Sequence, residues 1–333
     1  MNELGAQRTQ SGHRTQRKGT ASRRQRGAAV VLSFVSFVTF VSFVHTLSSA
    51  EQPPPFRAGV DLVQVGVTVT DRKGNLVTDV TAADFEIVED GRPQTIRFFA
   101  AGDGNADQRP ALHLGLLLDV SESMGEDMQF SKTASIKFLN TLTDAVDIAV
   151  VDFDTEVRTA RYSQNEFVRL VERIRQRKAS GDTALYDAIA TYLHSASEQD
   201  GRKIMLLYTD GGDTRSSVPF HELIDLLKAS DVTVYAIGEL EHQSASARMP
   251  QRMVLQQIAE VTGGQAFFPT SVKELDGVYE KVVAQIRAQY TVGYLSTNEK
   301  RDGTWRKVDV KPLRKDLRVR ARKGYFGPYD RLY

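Results

Sequence analysis

Three oxygen-bearing side chains stand at alternate positions in Asp119-Val120-Ser121-Glu122-Ser123, directly after the apolar run Leu116-Leu117-Leu118. On an extended turn, this alternation lets one carboxylate and two hydroxyls converge on a point. Such a donor set suits a small hard cation, which takes oxygen ligands and keeps positions for water or a further ligand. The same residues are also good helix caps, because Asp and Ser side chains satisfy the free N–H groups of a first turn. Two further stretches decide between these readings. Ser180-Gly181-Asp182-Thr183 puts a hydroxyl and an acid at the entry to a helical pattern, and Leu206-Leu207-Tyr208-Thr209-Asp210-Gly211-Gly212 ends an apolar run in an acid and two glycines. Strand ends of one parallel sheet share an edge, so Asp119, Ser121, Ser123, Thr183 and Asp210 can surround a single ion. Two carboxylates roughly balance a divalent charge and the hydroxyls add none. The ion therefore stays attractive to an anionic oxygen from a partner.

The elements needed to position these groups are legible. Between residue 112 and about residue 289, strand-like apolar runs (112–118, 146–153, 157–162, 204–208, 232–237 and 266–268) alternate with helical patterns (127–142, 167–174, 184–196, 220–227, 254–261 and 272–286). This alternation predicts an α/β fold with a doubly wound, mainly parallel, Rossmann-like sheet. The 239–250 segment reads as a loop near the ion. On the amino-terminal side, 60–70 and 84–89 alternate as strands, with turns at 71–75 and at Asp90-Gly91. On the carboxyl-terminal side, 290–295, 305–310 and 317–322 return to β character. Neither flank is long enough to bury a core alone. They are therefore expected to pair into one small β-sandwich with the α/β domain inserted between them. Nine basic residues between Arg306 and Lys323 read as a solvated face of edge strands, where charge discourages sheet-to-sheet association.

Residues 1–27 are basic and polar without apolar periodicity, which predicts a disordered leader. Ala28 to Val44 carries no charge and is rich in Val and Phe, and Ser48-Ser49-Ala50 has the small residues of a signal-peptidase site. Residues 28–50 thus read as a signal-peptide core or a membrane anchor. Positive charge before the segment orients the remaining chain outside the cytoplasm, periplasmic or secreted, with membrane contact only through this segment. The expected layout is 1–27 leader, 28–50 signal or anchor, 51–107 β segment, 108–289 α/β domain and 290–333 β segment. Gly102-Asp103-Gly104-Asn105-Ala106-Asp107 has the spacing that opens a calcium loop, but Gln108 stands where Gly is needed and Leu114 where Glu is needed, so it reads as a linker.

Composition excludes several chemistries. The 333 residues include no cysteine, so disulfides, thiolate nucleophiles and zinc-thiolate sites are ruled out. Seven of the 43 basic residues lie before residue 27 together with one of the 42 acids, which leaves the body from Glu51 onward with a net charge of −5. That balance argues against nucleic-acid partners, whose binding rests on phosphate neutralisation. No Gly-x-Ser-x-Gly elbow, Walker-type phosphate loop or His-Glu-x-x-His helix is present. An aspartyl-phosphatase reading of Asp119 needs a second Asp two residues on, where this chain has Ser121.

Asp119-x-Ser121-x-Ser123, Thr183 within Gly-Asp-Thr-Ala-Leu, and Asp210 within Thr-Asp-Gly resemble the metal-ion-dependent adhesion site of von Willebrand factor type A domains. The flanking Val-Thr-Val-Thr-Asp and Glu-Asp-Gly runs and the terminal Gly-Tyr-Phe are similar to those of a group of bacterial secreted proteins related to that family. The resemblance covers about residues 110 to 290. It implies Mg2+ as the usual ion, with Ca2+ or Mn2+ as alternatives. It also implies Ser121 and Ser123 as direct ligands, with Asp119, Thr183 and Asp210 bound directly or through water. Asp182 departs from the pattern, since many members carry Gly there. The expected function is a non-enzymatic module that holds an acidic residue of a protein partner through the ion. The alternative expectation is an envelope scaffold without ligand-dependent metal chemistry.

Overall fold

The computed structural model describes residues 62–102, 110–142 and 144–329. The leader, the 28–50 segment and most of the 102–107 linker lie outside the described residues. Among the described residues no helix is long and apolar enough to cross a membrane.

The described part opens with four strands, β1 (Leu62–Thr70), β2 (Phe85–Glu89), β3 (Arg92–Gln94) and β4 (Ile96–Ala100), all of which pair antiparallel with their neighbours. In β1 the period of two puts Val63, Val65, Val67 and Val69 in one core, while Thr68 on the other face is buried as well. The turn after β1 is set by Asp71, whose carboxylate accepts from the N–H groups of Lys73 and Asn75. The hairpin between β2 and β3 turns at Asp90 and Gly91, both at positive φ (46° and 81°). A two-residue turn of matching twist requires that backbone, which is why Asp-Gly predicts it.

The α/β part then runs through β5 (Leu112–Asp119), α1 (Met128–Thr141), β6 (Asp147–Phe153), β7 (Val157–Ser163), α2 (Phe167–Gln176), α3 (Leu185–Ala196), β8 (Arg202–Thr209), α4 (Phe220–Ala229), β9 (Val232–Gly238), α5 (Ala245–Val261), β10 (Gln265–Phe267) and α6 (Val272–Ala288). Its six strands form one sheet in the order β10-β9-β8-β5-β6-β7, all parallel except the edge strand β7. Alternation along β5 sends Leu114, Leu116 and Leu118 toward α1, α2 and α6, while Leu117 packs with residues of α3, α4 and α5. Both faces are therefore covered, and the expected doubly wound fold is the one found. Gly115 is a glycine because a Cβ there would lie 2.2 Å from the ring of Tyr192, which is itself buried.

The strand order has a consequence for function. From β5 the chain steps outward to β6 and β7 on one side, then returns to build β8, β9 and β10 on the other. The order reverses between β5 and β8, and in open α/β sheets the crevice at such a switch point, outside the carboxyl ends of the strands, is where ligands bind.

The last strands, β11 (Tyr290–Leu295), β12 (Trp305–Pro312), β13 (Arg318–Arg320) and β14 (Gly324–Phe326), join those that precede the α/β part. Two four-stranded sheets result, β13-β1-β11-β4 and β14-β12-β2-β3, and each mixes strands from the two ends of the described chain. Their shared core includes Val65, Val67, Ile87, Tyr290, Val292 and Val308. This is the flanking β-sandwich expected from the sequence.

Two local readings need correction. The helix placed at 254–261 begins at Ala245, so the second half of the 239–250 loop is helical. Ser244 caps it by accepting from the Ala247 N–H, which starts the helix upstream of Pro250 even though proline removes one internal donor. The basic run from Arg306 to Lys323 is not a single solvated face either. Arg306 is 1% exposed and sits inside the sandwich. Arg320 donates to Gly263 O, Gln265 and Gln285, joining the sandwich to the α/β part.

Candidate metal centre at the switch point

Asp119 is the last residue of β5 and is 1% exposed. Its Oδ1 accepts from the Ser121 N–H at 3.0 Å and from the Ser121 hydroxyl at 2.5 Å, and its Oδ2 accepts from the Thr209 hydroxyl at 2.6 Å. The hydroxyls of Ser121 and Ser123 lie 3.1 Å apart. The alternation in Asp119-x-Ser121-x-Ser123 thus produces the convergence expected of it, around a short 3₁₀ turn at Glu122–Met124.

Asp210 follows the end of β8 and is 2% exposed. Its Oδ1 accepts from the Gly212 N–H at 2.7 Å and its Oδ2 from the Gln243 side-chain amide at 3.0 Å. Gly211 holds a φ of +84°, the left-handed backbone that lets the chain turn tightly after Asp210. Thr183 belongs to the third loop, which is tied to both others by backbone bonds. The Glu122 N–H donates to Gly181 O and the Ser180 N–H to Val120 O, while Thr183 O accepts from the N–H groups of Thr214 and Arg215. Gly181, at φ +77°, makes that turn. The three loops therefore form one hydrogen-bonded rim at the carboxyl edge of the sheet.

The electrostatics follow from burial without a counter-charge. Burial pushes the Asp119 carboxyl up to about 7; hydrogen bonds from Ser121 and Thr209 oppose the rise, and the nearby charge of Asp210 adds to it. Among the described residues no Lys, Arg or His pairs with Asp119 or Asp210. No cluster of three or more His, Asp and Glu side chains converges there either, so any cation bound at the rim must lean on hydroxyls. The groups shown together, the Asp119 carboxylate with the Ser121 and Ser123 hydroxyls and the nearby Asp210 carboxylate, have the chemistry of a hard divalent ion's donors, and Ser123 is open to water; Thr183 is placed in the rim by its backbone bonds.

Four participants were not singled out from the sequence. Thr209 fixes Asp119, and Gln243 fixes Asp210. Glu239, one residue past the end of β9, is 3% exposed; it accepts from the Ser131 hydroxyl at 2.8 Å, and its other oxygen has no partner among the described residues. Burial pushes Glu239 up to about 8, with added repulsion from Asp127, Asp119 and Asp210. Asp127, at the entry to α1, is raised chiefly by burial, and its Oδ1 lies 2.8 Å from Nδ1 of His242. Glu239 had a visible signal, since it ends an apolar strand as Asp119 and Asp210 do. Gln243 had none.

These raised acids set a pH dependence. Folded Asp119 holds its proton to about 7, whereas the unfolded chain releases it near 3.8, so the folded state binds more protons across that window. Stability of the metal-free protein is therefore lost as pH rises from about 4 to about 7, and Glu239 extends the loss from 4.5 to about 8. Urea unfolding in EDTA is expected to show midpoints that fall steadily from pH 5 to pH 8. A midpoint that stays flat or rises over that range would contradict the assignment.

A family model for the von Willebrand factor type A domain matches residues 113–281. No curated protein matches the chain. Solved structures of similar fold include a von Willebrand factor type A protein from Catenulispora acidiphila, at 14% identity and a TM-score of 0.46, covering 81% of this chain and 75% of that one. Another is an aerotolerance-related membrane protein from Bacteroides fragilis NCTC 9343, at 14% identity and a TM-score of 0.44, covering 53% and 98%. A third is the pilus adhesin SpaC from Lactobacillus rhamnosus GG, at 10% identity and a TM-score of 0.47, covering 74% and 48%.

Proposed function

The chain belongs to the von Willebrand factor type A family, and from that membership we propose that it is a protein-interaction module working through a divalent cation, Mg2+ before Ca2+ or Mn2+. Ser121 and Ser123 would hold the ion through their hydroxyls. Asp119, Thr183 and Asp210 would bind it directly or through water. When bound, the ion supplies a Lewis-acidic position for a carboxylate oxygen of a protein partner. The protein's own part is to orient the donors. Thr209 and the Ser121 N–H fix the two oxygens of Asp119, and Gln243 and the Gly212 N–H fix those of Asp210. No bond is made or broken in this reading, so the protein is a binder and not an enzyme. The uncharged 28–44 segment with its basic leader supports a site of action outside the cytoplasm.

The observation that carries the reading is the pair of buried acids without a counter-ion. Asp119 and Asp210 lie close enough to repel, and their hydrogen-bond partners are hydroxyl, amide and backbone N–H groups. A bound cation relieves that cost. Calorimetric titration of the full chain with Mg2+, Mn2+ and Ca2+ tests it. Saturable binding of one ion per chain, weakening as pH falls below about 7 because protons compete at Asp119, is the expected result. Heat that never saturates with any of the three ions would sink the proposal.

A further inference from the structure

Beside the metal rim lies a half-open cavity of about 290 Å3, between the first turns of α5 and the segment that follows β10. Leu240, Met249, Phe268 and Pro269 give it an apolar lining, and Glu241, Arg248 and Arg252 stand around it. The floor is rigid. Phe268 lies flat on Gly238, where a Cβ would come within 2.6 Å of the ring, and the guanidinium of Arg252 stacks 4.0 Å above that ring. The wall is open and soft. Met249, in this wall, is 63% exposed, and Met253, one turn along the same helix but outside the cavity, is 61% exposed. Unbranched, polarizable methionines left in water one turn apart are the kind of surface that adapts to apolar side chains.

The cavity and the rim are connected through three residues. Arg248 donates to Gln243 O at 2.9 Å and to Glu241 O at 2.6 Å, which shapes the loop that carries Gln243. The side chain of Gln243 in turn holds Asp210. Gly211 packs against α5 so closely that a Cβ would lie 3.0 Å from Gln251 O. The turn after Asp210 is therefore packed directly on α5.

Resting on the cation–carboxylate reading above, we propose that this cavity is the second half of one footprint. The occupant is a segment of a partner protein that offers an acidic residue to the ion and a large apolar side chain, aromatic or Leu/Met, to the pocket of Leu240, Met249, Phe268 and Pro269. Charge supports this occupant: Arg248 and Arg252 outnumber Glu241 at the mouth, so an acidic segment is favoured there. The size supports it too, since the space suits one side chain better than a cofactor. The ion supplies the common anchor and the pocket supplies selectivity among acidic segments.

The test uses phage-displayed peptides of random sequence around one fixed aspartate, selected on the full chain in Mg2+. Selected peptides are expected to carry Phe, Trp, Leu or Met at one constant spacing from the aspartate. Met249→Asp, a change on an exposed helix face, is expected to weaken a selected peptide at least tenfold with Mg2+ affinity within twofold of the parent; Met249→Leu should restore peptide binding. Peptides without a fixed apolar position, or no selection on protein that binds Mg2+, would overturn the pocket and leave the cation reading standing. Apolar peptides that bind equally well in EDTA would overturn the joint footprint by removing the ion from it.

Discussion

Asp119→Asn is expected to move cation binding and stability in opposite directions. It should abolish Mg2+ binding, because the amide keeps the shape of the side chain and removes half the negative charge that the buried pair presents. In EDTA at pH 8, the same change should stabilise the protein. The parent at that pH carries an ionised carboxylate in a site that favours the proton up to about 7. The displacement from 3.8 caps the gain at about 4 kcal/mol, at roughly 1.4 kcal/mol per pH unit. The expected gain is about 2 kcal/mol, since Asn satisfies Ser121 and Thr209 less well than a carboxylate does. The gain should shrink below pH 7 and disappear only below 3.8, where the parent becomes neutral in both states. Saturating Mg2+ should then reverse the order, because only the parent gains stability from the ion. Urea titrations at pH 5 and pH 8, with and without Mg2+, read all of this. An Asn variant that binds Mg2+ as the parent does would remove Asp119 from the site.

The second large effect lies in the sandwich. Arg306 donates to the Ser296 hydroxyl at 3.1 Å, to Asn298 O at 2.9 Å and to Lys300 O, with Glu89 at 3.9 Å. Glu89 is 1% exposed and accepts from Tyr294 at 2.8 Å, Ser296 at 2.5 Å and Tyr325 at 2.9 Å. This network ties β2, β11, β12 and β14 together across both sheets. Arg306→Met fills much of the same volume but leaves Glu89 as a buried acid without its cation. The expected loss is about 3–5 kcal/mol. Adding Glu89→Gln should recover part of it, since the remaining amide needs no counter-charge, and that non-additivity separates the lost pair from a packing defect. A urea midpoint for Arg306→Met within experimental error of the parent would show that the pair carries no stability.

Arg306 also shows why the sequence misled at that position. Its neighbours Lys307, Lys311 and Arg314 make a basic run that reads as solvated, and three of these four are on the surface. What buries Arg306 is a glutamate more than 200 residues earlier in the chain, and no local pattern reports it. The candidate site at the sheet edge was more legible. Asp119, Ser121, Ser123, Thr183 and Asp210 each stand where an apolar run or turn gives way to polar residues, and that is a local signal. Glu239 carried the same signal at the end of β9. Gln243 sits in a stretch whose helical start depends on the Ser244 cap, and Pro250 hid that start.

By itself, then, the sequence determined the alternation of strands and helices, the period-two strands of the flanks and the donor types at the strand ends. All three are written in side-chain spacing over a few residues, where apolar burial and backbone geometry act locally. The tertiary structure alone decided that β5 and β8 are neighbours, so that Asp119 and Asp210 share one crevice. It also decided that Glu89 meets Arg306, and that α5 stands beside the rim with an open pocket. Those outcomes rest on strand order and long-range packing, in which the two partners of each contact are chosen by the whole chain's burial and hydrogen-bond balance rather than by either partner's own surroundings.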